Sequence, residues 1–347
     1  MPMKTSAEKQ TNELSVLGIC AGQGCLLRPF KKNLIANIEP RAVFHTKGEE
    51  QWRSNFGDIP FLKGYELPVC KPDIIISSPD CGASSIMRLS KKKTLGKPQE
   101  NKSIALVMNG IITLKPKFFL IENLPRLLNF ISREDLEVMF PEYELIIHQV
   151  SVSAFGNSQV SRTRLVIVGV NKKTKHHKLY IQKFNKVFQV NTPCNTSDLL
   201  HDINLSTNYN IPTDKTLAMY DYRLLPEKKN LTVGSIQMLW QKDFKGEKKW
   251  PIKTKKMHTL PGVYRLESNK PPLTLRPADR QFRPDGWPLG IEDFKSIMGF
   301  PKKFKIYMPE KPDKREYLYW LNKARYTIAK GSVYEVGIWF KKCLKTV

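Results

Sequence analysis

A cysteine in a polar loop is the residue of this sequence best suited to covalent chemistry. Cys81 follows the apolar run Ile74–Ile76 and comes directly after Pro79 and Asp80. A cysteine outside disulfides usually packs as a small buried hydrophobe, but the residues flanking Cys81 are polar or small, which favours an exposed thiol. Several lysines and an arginine follow in the same loop, and nearby cations stabilise the reactive thiolate. The pattern predicts that Cys81 is a nucleophile.

A carboxylate and two guanidinium groups adjoin two other apolar runs. Glu122 comes straight after Phe118–Ile121, where a carboxylate must be paired or protonated. The alternative is an exposed Glu122 beside a helix-capping residue. Arg162 and Arg164 lead into an apolar run, and residues two apart in an extended chain point the same way. The alternative for the arginines is surface charge at a sheet edge.

A glycine turn ends the first apolar run of the chain. Gly22-Gln23-Gly24 would let the backbone approach a ligand closely, although an ordinary strand-to-helix turn is the alternative. The turn lacks a full dinucleotide fingerprint. Glu39, at the end of the next predicted strand, could then accept ribose hydroxyls, and Asp58 could reach an adenine amine. Each feature is weak alone, and their order along the chain gives them weight.

Alternating strands and helices must position these groups. Predicted strands cover Leu14–Cys20, Asn33–Ile38, Pro72–Ser77, Lys117–Ile121 and Arg164–Val170, and predicted helices cover Ser103–Leu114 and Ser332–Leu344. Strands separated by helices indicate an α/β fold with a mostly parallel sheet and helices on both faces. The glycine turn, Cys81 and Glu122 all fall at carboxyl ends of strands, where ligands bind in such sheets.

The charge of the chain favours a polyanionic partner. Its 57 Lys and Arg against 32 Asp and Glu give a formal net charge of +25, and cations that neutralise phosphates release counterions. A solubility function and the codon bias of an AT-rich genome are alternative explanations. Six cysteines show no CxxC pair and no zinc-like spacing, so no metal site is predicted. With no apolar leader or membrane span, we expect a reduced cytoplasmic protein, in a bacterial or a host cell.

The composition changes after about Asn171. From there to Lys270 the chain is rich in Asn, Lys, Thr and Pro, and its periodicity is weak. The stretch Lys242–Lys256 carries seven lysines, with Trp240 and Trp250 interleaved. A smaller, irregular and basic region is therefore expected after the α/β part.

The order of these motifs, from about Leu14 to Val347, resembles the cytosine-5 DNA methyltransferase family. The matching segments are Val16 to Gly24 with the cofactor loop, Ser78-Pro79-Asp80-Cys81 with Gly-Pro-Pro-Cys, Phe119 to Leu124 with Glu-Asn-Val, Arg162 to Gly169 with Gln-x-Arg-x-Arg, Pro288 to Pro301 with a late Glu…Gly-Phe-Pro element, and Lys330-Gly331-Ser332-Val333 with Gly-Asn-Ser-Val. Six modest matches in the right order are hard to obtain by accident.

The departures from the family pattern mark a divergent member, of viral or phage type. Gly18 replaces Asp, Cys20 replaces Phe, Asp80 replaces Pro, Gly82 replaces Gln, Val160 replaces Gln with Gln159 displaced by one, and Lys330-Gly331 replaces Gly-Asn. Asp80 would by itself raise the pKa of the neighbouring Cys81 thiol.

The resemblance implies a fold and a set of site residues. The fold is an S-adenosylmethionine-dependent methyltransferase (Rossmann-like) mixed sheet with helices on both faces, plus a smaller irregular target-recognition domain. The implied parts are a catalytic and cofactor domain over 14–171, target recognition over 172–300, and a C-terminal segment over 301–347 that returns to the catalytic domain. Catalysis falls to Cys81, Glu122, Arg162 and Arg164. The implied cofactor residues are Ile19, Cys20, Ala21, Gly22, Gln23, Gly24, Glu39, Asp58, Ile59, Pro79, Ser332 and Val333. The implied nucleic-acid contacts are Ser84, Ser85, Arg88, Lys91, Lys92, Lys248 and Lys249.

The implied activity is transfer of methyl from S-adenosyl-L-methionine to C5 of a cytosine flipped out of double-stranded DNA. A monomer is expected, and restriction-modification is a compatible setting, although a cognate restriction endonuclease cannot be inferred. One branch of the family acts on tRNA, so a tRNA substrate is the first alternative. A catalytically inactive DNA-binding relative is the second. Lys330 raises a third, a cofactor that carries an extra acidic group.

Overall fold

The computed structural model describes residues 14–41, 48–80, 102–160, 162–187, 291–307 and 333–345, with short pieces at 199–200, 263–265, 272, 280–282, 289, 324 and 328. Its strands are β1 (Val16–Ile19), β2 (Leu34–Glu39), β3 (Phe61–Lys63), β4 (Ile74–Ser77), β5 (Phe118–Asn123), β6 (Tyr143–Ser151), β7 (Thr163–Asn171), β8 (Val263–Arg265) and β9 (Arg280–Phe282). Its α-helices are α1 (Gly48–Phe56), α2 (Lys102–Leu114), α3 (Arg133–Met139), α4 (His177–Asn185), α5 (Ile291–Ile297) and α6 (Tyr334–Lys345). Among the described residues, short 3-10 helices cover Arg28–Asn33, Pro125–Asn129 and Val152–Phe155.

Seven of the strands form one mixed sheet in the order β3-β2-β1-β4-β5-β7-β6. The pairings from β3 to β5 are parallel, whereas β7 pairs antiparallel with both β5 and β6. The chain order reverses between β1 and β4, so the carboxyl ends of these two strands flank the point where an α/β sheet binds ligands. The mixed α/β sheet expected from the sequence is confirmed.

The two faces of the sheet form two hydrophobic cores. Because side chains alternate along a strand, Ile74 and Ile76 face one core while Ile75 faces the other. The first core contains residues of α4, α5 and α6, including Phe184, Phe294 and Phe340. The second is covered by α2. The central strands are buried on both faces, which explains their continuous apolar sequences.

The last helix packs beside the start of the chain. Phe340 on α6 lies 6.1 Å from Phe30, centroid to centroid, and Lys341 donates a hydrogen bond to the Pro29 carbonyl. A Cβ on Gly337 would lie 2.4 Å from the Leu26 carbonyl oxygen, so the helix and the segment after the glycine turn are in close contact. Helix α6 therefore packs against the chain that follows β1.

The proposed domain boundaries remain predictions. Helices α4 and α5 share the first core with α6, although both fall in the range 172–300 that the sequence assigns to target recognition. Strands β8 and β9 form a separate parallel pair in that range. Residues 201–262, with the basic stretch Lys242–Lys256, lie outside the described residues. Within the described ranges, no helix is long and apolar enough to cross a membrane.

Candidate active site

The glycine turn after β1 depends on two left-handed residues. Gly22 has φ 59° and Gly24 has φ 81°, conformations that cost a residue with a side chain free energy. A Cβ on Gly24 would also lie 2.6 Å from the Phe56 ring and 2.7 Å from Trp52, both on α1. Trp52 and Phe56 stack with centroids 4.0 Å apart. The turn is therefore packed against α1, and it follows the carboxyl end of β1.

Glu39 joins the glycine turn at this end of the sheet. Its side chain is fully buried at the last position of β2, and its Oε2 accepts a hydrogen bond of 2.8 Å from the Gly22 N–H. Gln23 lies beside it in the turn; its Oε1 is buried, and no described residue donates a hydrogen bond to it. A buried acceptor of this kind fits a bound ligand that presents hydroxyl or amine groups.

Arg41 is a site residue that the sequence did not reveal. Its guanidinium forms an ion pair with Glu39, with Nε 2.5 Å from Oε1, and it also donates to the carbonyls of Cys20 and Ser78. It thereby touches the chain at the ends of β1, β2 and β4. Burial lowers the pKa of Arg41, but its hydrogen bonds and charge attraction to Glu39 outweigh burial and leave the pKa raised.

Asn37 explains one departure from the family pattern. It pairs with Gly18 across β1 and β2, and a Cβ on Gly18 would lie 2.6 Å from the Asn37 Oδ1. The Asn37 side chain donates to the Gly22 carbonyl at 3.3 Å. A polar side chain from β2 therefore fills the space above Gly18, where the family carries an aspartate on β1.

Cys20, the second departure, is a buried thiol. Its Sγ lies 3.7 Å from the Ser103 carbonyl at the start of α2. Burial, together with the charge of Glu39, raises the pKa of Cys20 to about 12. A thiol with that pKa stays protonated at neutral pH, so Cys20 is not suited to act as a nucleophile.

Glu122 is held from two sides. It is 3% exposed near the end of β5. Its Oε1 lies 2.9 Å from the Arg164 Nε on β7, and its Oε2 accepts a hydrogen bond of 2.8 Å from the Ser78 hydroxyl. The carboxylate is thus paired, as its position after an apolar strand required. The exposed alternative is excluded, and β7 lies inside the sheet, so Arg164 is not an edge charge.

Ser78 connects this pair to the glycine turn. Its hydroxyl donates to Glu122 and its carbonyl accepts from Arg41 at 3.1 Å. The contacts run without a break from Gly22 through Glu39, Arg41, Ser78 and Glu122 to Arg164. Ser78 also stands three residues before Cys81, so the network ends at the root of the predicted nucleophile loop.

The predicted nucleophile itself lies just beyond the described residues. The chain is described up to Asp80, and the Pro79 carbonyl accepts a hydrogen bond of 3.3 Å from Asn123. The charge of Asp80 acts on Arg41 and on Cys20. The charge of Asp80 contributes to raising the pKa of both groups.

Arg162 is buried. It is 2% exposed, its Nη1 lies 2.7 Å from the Met298 sulfur, and burial, with the charge of Arg164, lowers its pKa to about 9. Such a side chain supports neighbouring loops and is not placed to meet a phosphate. Arg162 precedes β7 by one residue, so only Arg164 of the two arginines belongs to the strand.

Polar side chains around Arg162 join three segments. Asn157 donates to the Met298 carbonyl and to Glu335 Oε1 on α6, both at 3.1 Å. Gln159, the displaced glutamine, is fully buried and donates to the Ile297 carbonyl at 3.2 Å. Burial raises the pKa of Glu335 to about 7. These residues couple the strand entry to the Gly299-Phe300 loop and to α6.

The other predicted site residues have mixed surroundings. Ile19, Ala21, Pro79 and Val333 are buried, Ile59 is half-buried, and Asp58 is exposed after α1. The Ile59 carbonyl accepts a hydrogen bond of 2.6 Å from Trp52. Cys81, Ser332 and all predicted nucleic-acid contacts (Ser84, Ser85, Arg88, Lys91, Lys92, Lys248 and Lys249) lie outside the described residues.

A sequence model of the C-5 cytosine-specific DNA methylase family matches residues 35–317, well over half of the chain. The chain belongs to this family. Its members are S-adenosylmethionine-dependent methyltransferases, and the resemblance drawn from the motifs is confirmed. No curated protein matches the chain significantly.

Solved structures of distant sequences share the fold. The Schizosaccharomyces pombe Dnmt2 methyltransferase is 12% identical, with a TM-score of 0.57 over 95% of this chain and 97% of that one. A DNA modification methyltransferase encoded within an Escherichia coli prophage is 16% identical, with a TM-score of 0.55 over 92% and 98%. The Entamoeba histolytica methyltransferase EhMeth is 15% identical, with a TM-score of 0.54 over 96% and 98%.

Family membership indicates which cofactor the carboxyl end of the sheet should fit. The cofactor of the family carries ribose hydroxyls and an adenine amine, which suit the buried oxygens of Glu39 and Gln23. The described residues therefore fit this cofactor, except that Arg41 already forms an ion pair with the Glu39 carboxylate. Arg41 and Asn37 belong to no motif, and Ser78 stood in the Ser-Pro-Asp-Cys motif with no function assigned to it, because their importance depends on contacts between strands.

Proposed function

We propose that this methyltransferase modifies C5 of cytosine in double-stranded DNA, with Cys81 as the nucleophile. The observation that supports this most strongly is the buried Glu122 carboxylate between Arg164 and Ser78. Ser78 begins the Ser-Pro-Asp-Cys segment, so one residue links the Glu122 carboxylate to the loop that carries the Cys81 thiol. A reaction on cytosine needs a nucleophile and a group at the ring nitrogen N3, and Cys81 and Glu122 can supply these two groups.

The proposed mechanism begins with addition of the Cys81 thiolate to C6 of a flipped cytosine. Glu122, after taking up a proton from solvent, shares it with N3 as electron density moves into the ring, and Arg164 fixes the Glu122 side chain and faces O2. Glu39 and the glycine turn would hold S-adenosylmethionine, which would supply an electrophilic methyl group: its S–CH3 bond would break as C5 takes the methyl, with S-adenosylhomocysteine as the leaving group. Loss of the C5 proton to a base then restores the ring and expels the Cys81 thiolate. Arg162 positions the strand entry from within the core.

The cations of the chain support a nucleic-acid substrate. The net charge of +25 suits a polyanion, and phosphate contacts would offset the few kcal/mol that base flipping costs. The predicted contacts are Ser84, Ser85, Arg88, Lys91, Lys92, Lys248 and Lys249. The long basic insertion favours DNA over tRNA. In this proposal, residues 172–300 carry most of the base recognition. The methylation itself would serve in a host–virus or restriction-modification setting.

Sequencing of modified bases tests the proposal. DNA and tRNA from cells that express the wild-type chain are read by bisulfite sequencing beside cells that express Cys81→Ala. We expect 5-methylcytosine at a defined DNA sequence with the wild type and none with Cys81→Ala. Methylation of tRNA alone would move the substrate to the first alternative. No modification of either nucleic acid would favour the inactive relative, and mass spectrometry of the nucleosides would detect any group other than methyl.

A further inference from the structure

The four hydrogen-bonding positions of the Glu39 carboxylate are all in use. Oε1 accepts from the Arg41 N–H at 3.1 Å and from Arg41 Nε at 2.5 Å. Oε2 accepts from the Gly22 N–H at 2.8 Å and from Arg41 Nη2 at 2.6 Å. A carboxylate offers about four acceptor positions. A ribose can therefore bind Glu39 only if the Arg41 side chain gives up its place.

The rest of the Arg41 environment keeps the guanidinium near the glycine turn when it leaves Glu39. Its other acceptors are the carbonyls of Cys20, directly before the turn, and Ser78, at the start of the nucleophile loop. Only 15% of the side chain is exposed. A buried guanidinium that loses its carboxylate needs another anion, because an unpaired buried charge costs several kcal/mol.

The cofactor itself carries such an anion. S-adenosylmethionine has a carboxylate on its amino-acid part, a few bonds from the ribose. The ribose and this carboxylate therefore arrive together, within reach of one arginine side chain. Arginine also suits a carboxylate in particular, because its planar fork donates two parallel hydrogen bonds.

We infer that Arg41 is a cofactor-specificity residue that exchanges partners on binding, leaving Glu39 to the ribose and pairing with the carboxylate of the cofactor's amino-acid part. This inference rests on the proposed cofactor site. It assigns Glu39 and Arg41 complementary parts of one molecule. It also explains why a buried arginine forms an ion pair with Glu39, the predicted ribose acceptor.

Calorimetry with two ligands tests the exchange. S-adenosylhomocysteine has the carboxylate, whereas 5′-methylthioadenosine has the same adenine and ribose but lacks the amino-acid part. We expect Arg41→Met to weaken binding of S-adenosylhomocysteine by roughly 10- to 100-fold, the usual range for a charge-assisted pair. Binding of 5′-methylthioadenosine should be unchanged or tighter, because Glu39 is no longer occupied by Arg41.

Control variants separate this outcome from general damage. Arg53→Met removes the same charge from an exposed side chain of α1 that pairs with Glu49, and it should change neither affinity. If Arg41→Met fails to fold, the double variant Glu39→Gln/Arg41→Met removes both charges. In this double variant, the affinity for S-adenosylhomocysteine relative to that for 5′-methylthioadenosine should fall as in the single variant, because losing Glu39 weakens the binding of both ligands alike.

Three results would overturn the inference. Equal losses for both ligands in Arg41→Met would make Arg41 a structural residue, and equal gains would make it a simple competitor for the site. An unchanged affinity for S-adenosylhomocysteine would mean that Arg41 does not contact its carboxylate. If the wild-type chain binds neither ligand, the cofactor site of the proposed function fails as well, which none of the other results implies.

Discussion

At the scale of single residues, the Glu122 carboxylate depends on one side chain from β7 and one from the residue that follows β4. Arg164 lies 2.9 Å from one oxygen, and the Ser78 hydroxyl lies 2.8 Å from the other. Both partners are held by the sheet, so the carboxylate is fixed before any substrate arrives. Preorganised charges of this kind are worth more in a buried site than in water.

Removing Arg164 should leave Glu122 as an unpaired buried charge. We expect Arg164→Met to lower the free energy of unfolding by about 3 kcal/mol, the loss usual when one partner of a buried pair is removed. Urea denaturation measures this loss. The double variant Glu122→Gln/Arg164→Met should recover a large part of it, because it removes both charges.

The exposed pair of Arg133 and Glu137 on α3 provides the matched control. Arg133→Met should change the free energy of unfolding by no more than about 0.5 kcal/mol, because exposed ion pairs contribute little. Equal losses for Arg133→Met and Arg164→Met would contradict a buried, paired Glu122.

At the scale of elements, the glycine turn depends on α1 as well as on β1. Gly24 combines φ 81° with direct contact to Phe56 and Trp52, whereas Gly57, at the end of α1, has φ 72° and nothing within 4 Å of an added Cβ. The two glycines therefore share backbone conformation and differ in packing.

We expect Gly24→Ala to lower the free energy of unfolding by about 3 kcal/mol, from the left-handed conformation together with overpacking. Gly57→Ala should cost only about 1 kcal/mol, because it meets the first of these penalties alone. The two urea midpoints, measured side by side, isolate the packing contribution. Similar midpoints would show that α1 does not support the turn.

At the scale of the whole molecule, the C-terminal helix is tied to the catalytic part through a buried carboxylate. Glu335 on α6 contacts Asn157, and its Oε2 is buried with no hydrogen-bond partner among the described residues. The folded protein thus favours the protonated acid, and the pKa of about 7 lies above the ordinary value of 4.5. Proton uptake by Glu335 is therefore linked to global stability.

The sign of the linkage follows from the two pKa values. Between pH 4.5 and 7 the folded state binds the proton and the unfolded state does not, so the free energy of unfolding falls as pH rises. At about 1.4 kcal/mol per pKa unit, the loss is on the order of 3 kcal/mol. Glu335→Gln should remove it and be more stable than the wild type at pH 8, but not at pH 4.

Urea denaturation across this pH range measures the effect. Glu137→Gln, a charge change on an exposed side chain, should retain the pH dependence of the wild type. A Glu335→Gln variant that keeps the wild-type slope would show that another group is responsible.

The sequence predicted the strands that are buried on both faces and the helices α2 and α6, and it missed elements with weaker patterns. The isoleucines of β4 predicted a strand within two residues of its bounds, because a continuous β-branched run suits a central strand. Strand β3 has only three residues and a partly exposed sequence. Helix α1 is mostly polar, so its apolar periodicity is weak. Strand β6 is an edge strand, and six of its nine positions are exposed or partly exposed.

The site followed a similar rule. The resemblance implied that Glu122 and Arg164 belong to one site, and each adjoins a run of apolar residues in the sequence. In the structure, β5 and β7, which carry them, pair in the sheet. Arg41 was missed because its surroundings come from the ends of three strands that are distant in sequence. The function of Ser78 also depends on two neighbours that no local spacing reveals.

The covalent bond between Cys81 and the cytosine ring is the central claim, and a trapping measurement tests it most directly. The reaction ends when the C5 proton leaves and the thiolate is expelled. In a DNA duplex with 5-fluorocytosine in place of cytosine, C5 carries fluorine instead of that proton, so the reaction should stop before this last step. With S-adenosylmethionine present, we predict a protein–DNA complex that survives denaturing electrophoresis for the wild type and is absent for Cys81→Ala. An equal yield of that complex from Cys81→Ala, or methylation of normal DNA with no trapped complex, would contradict the account.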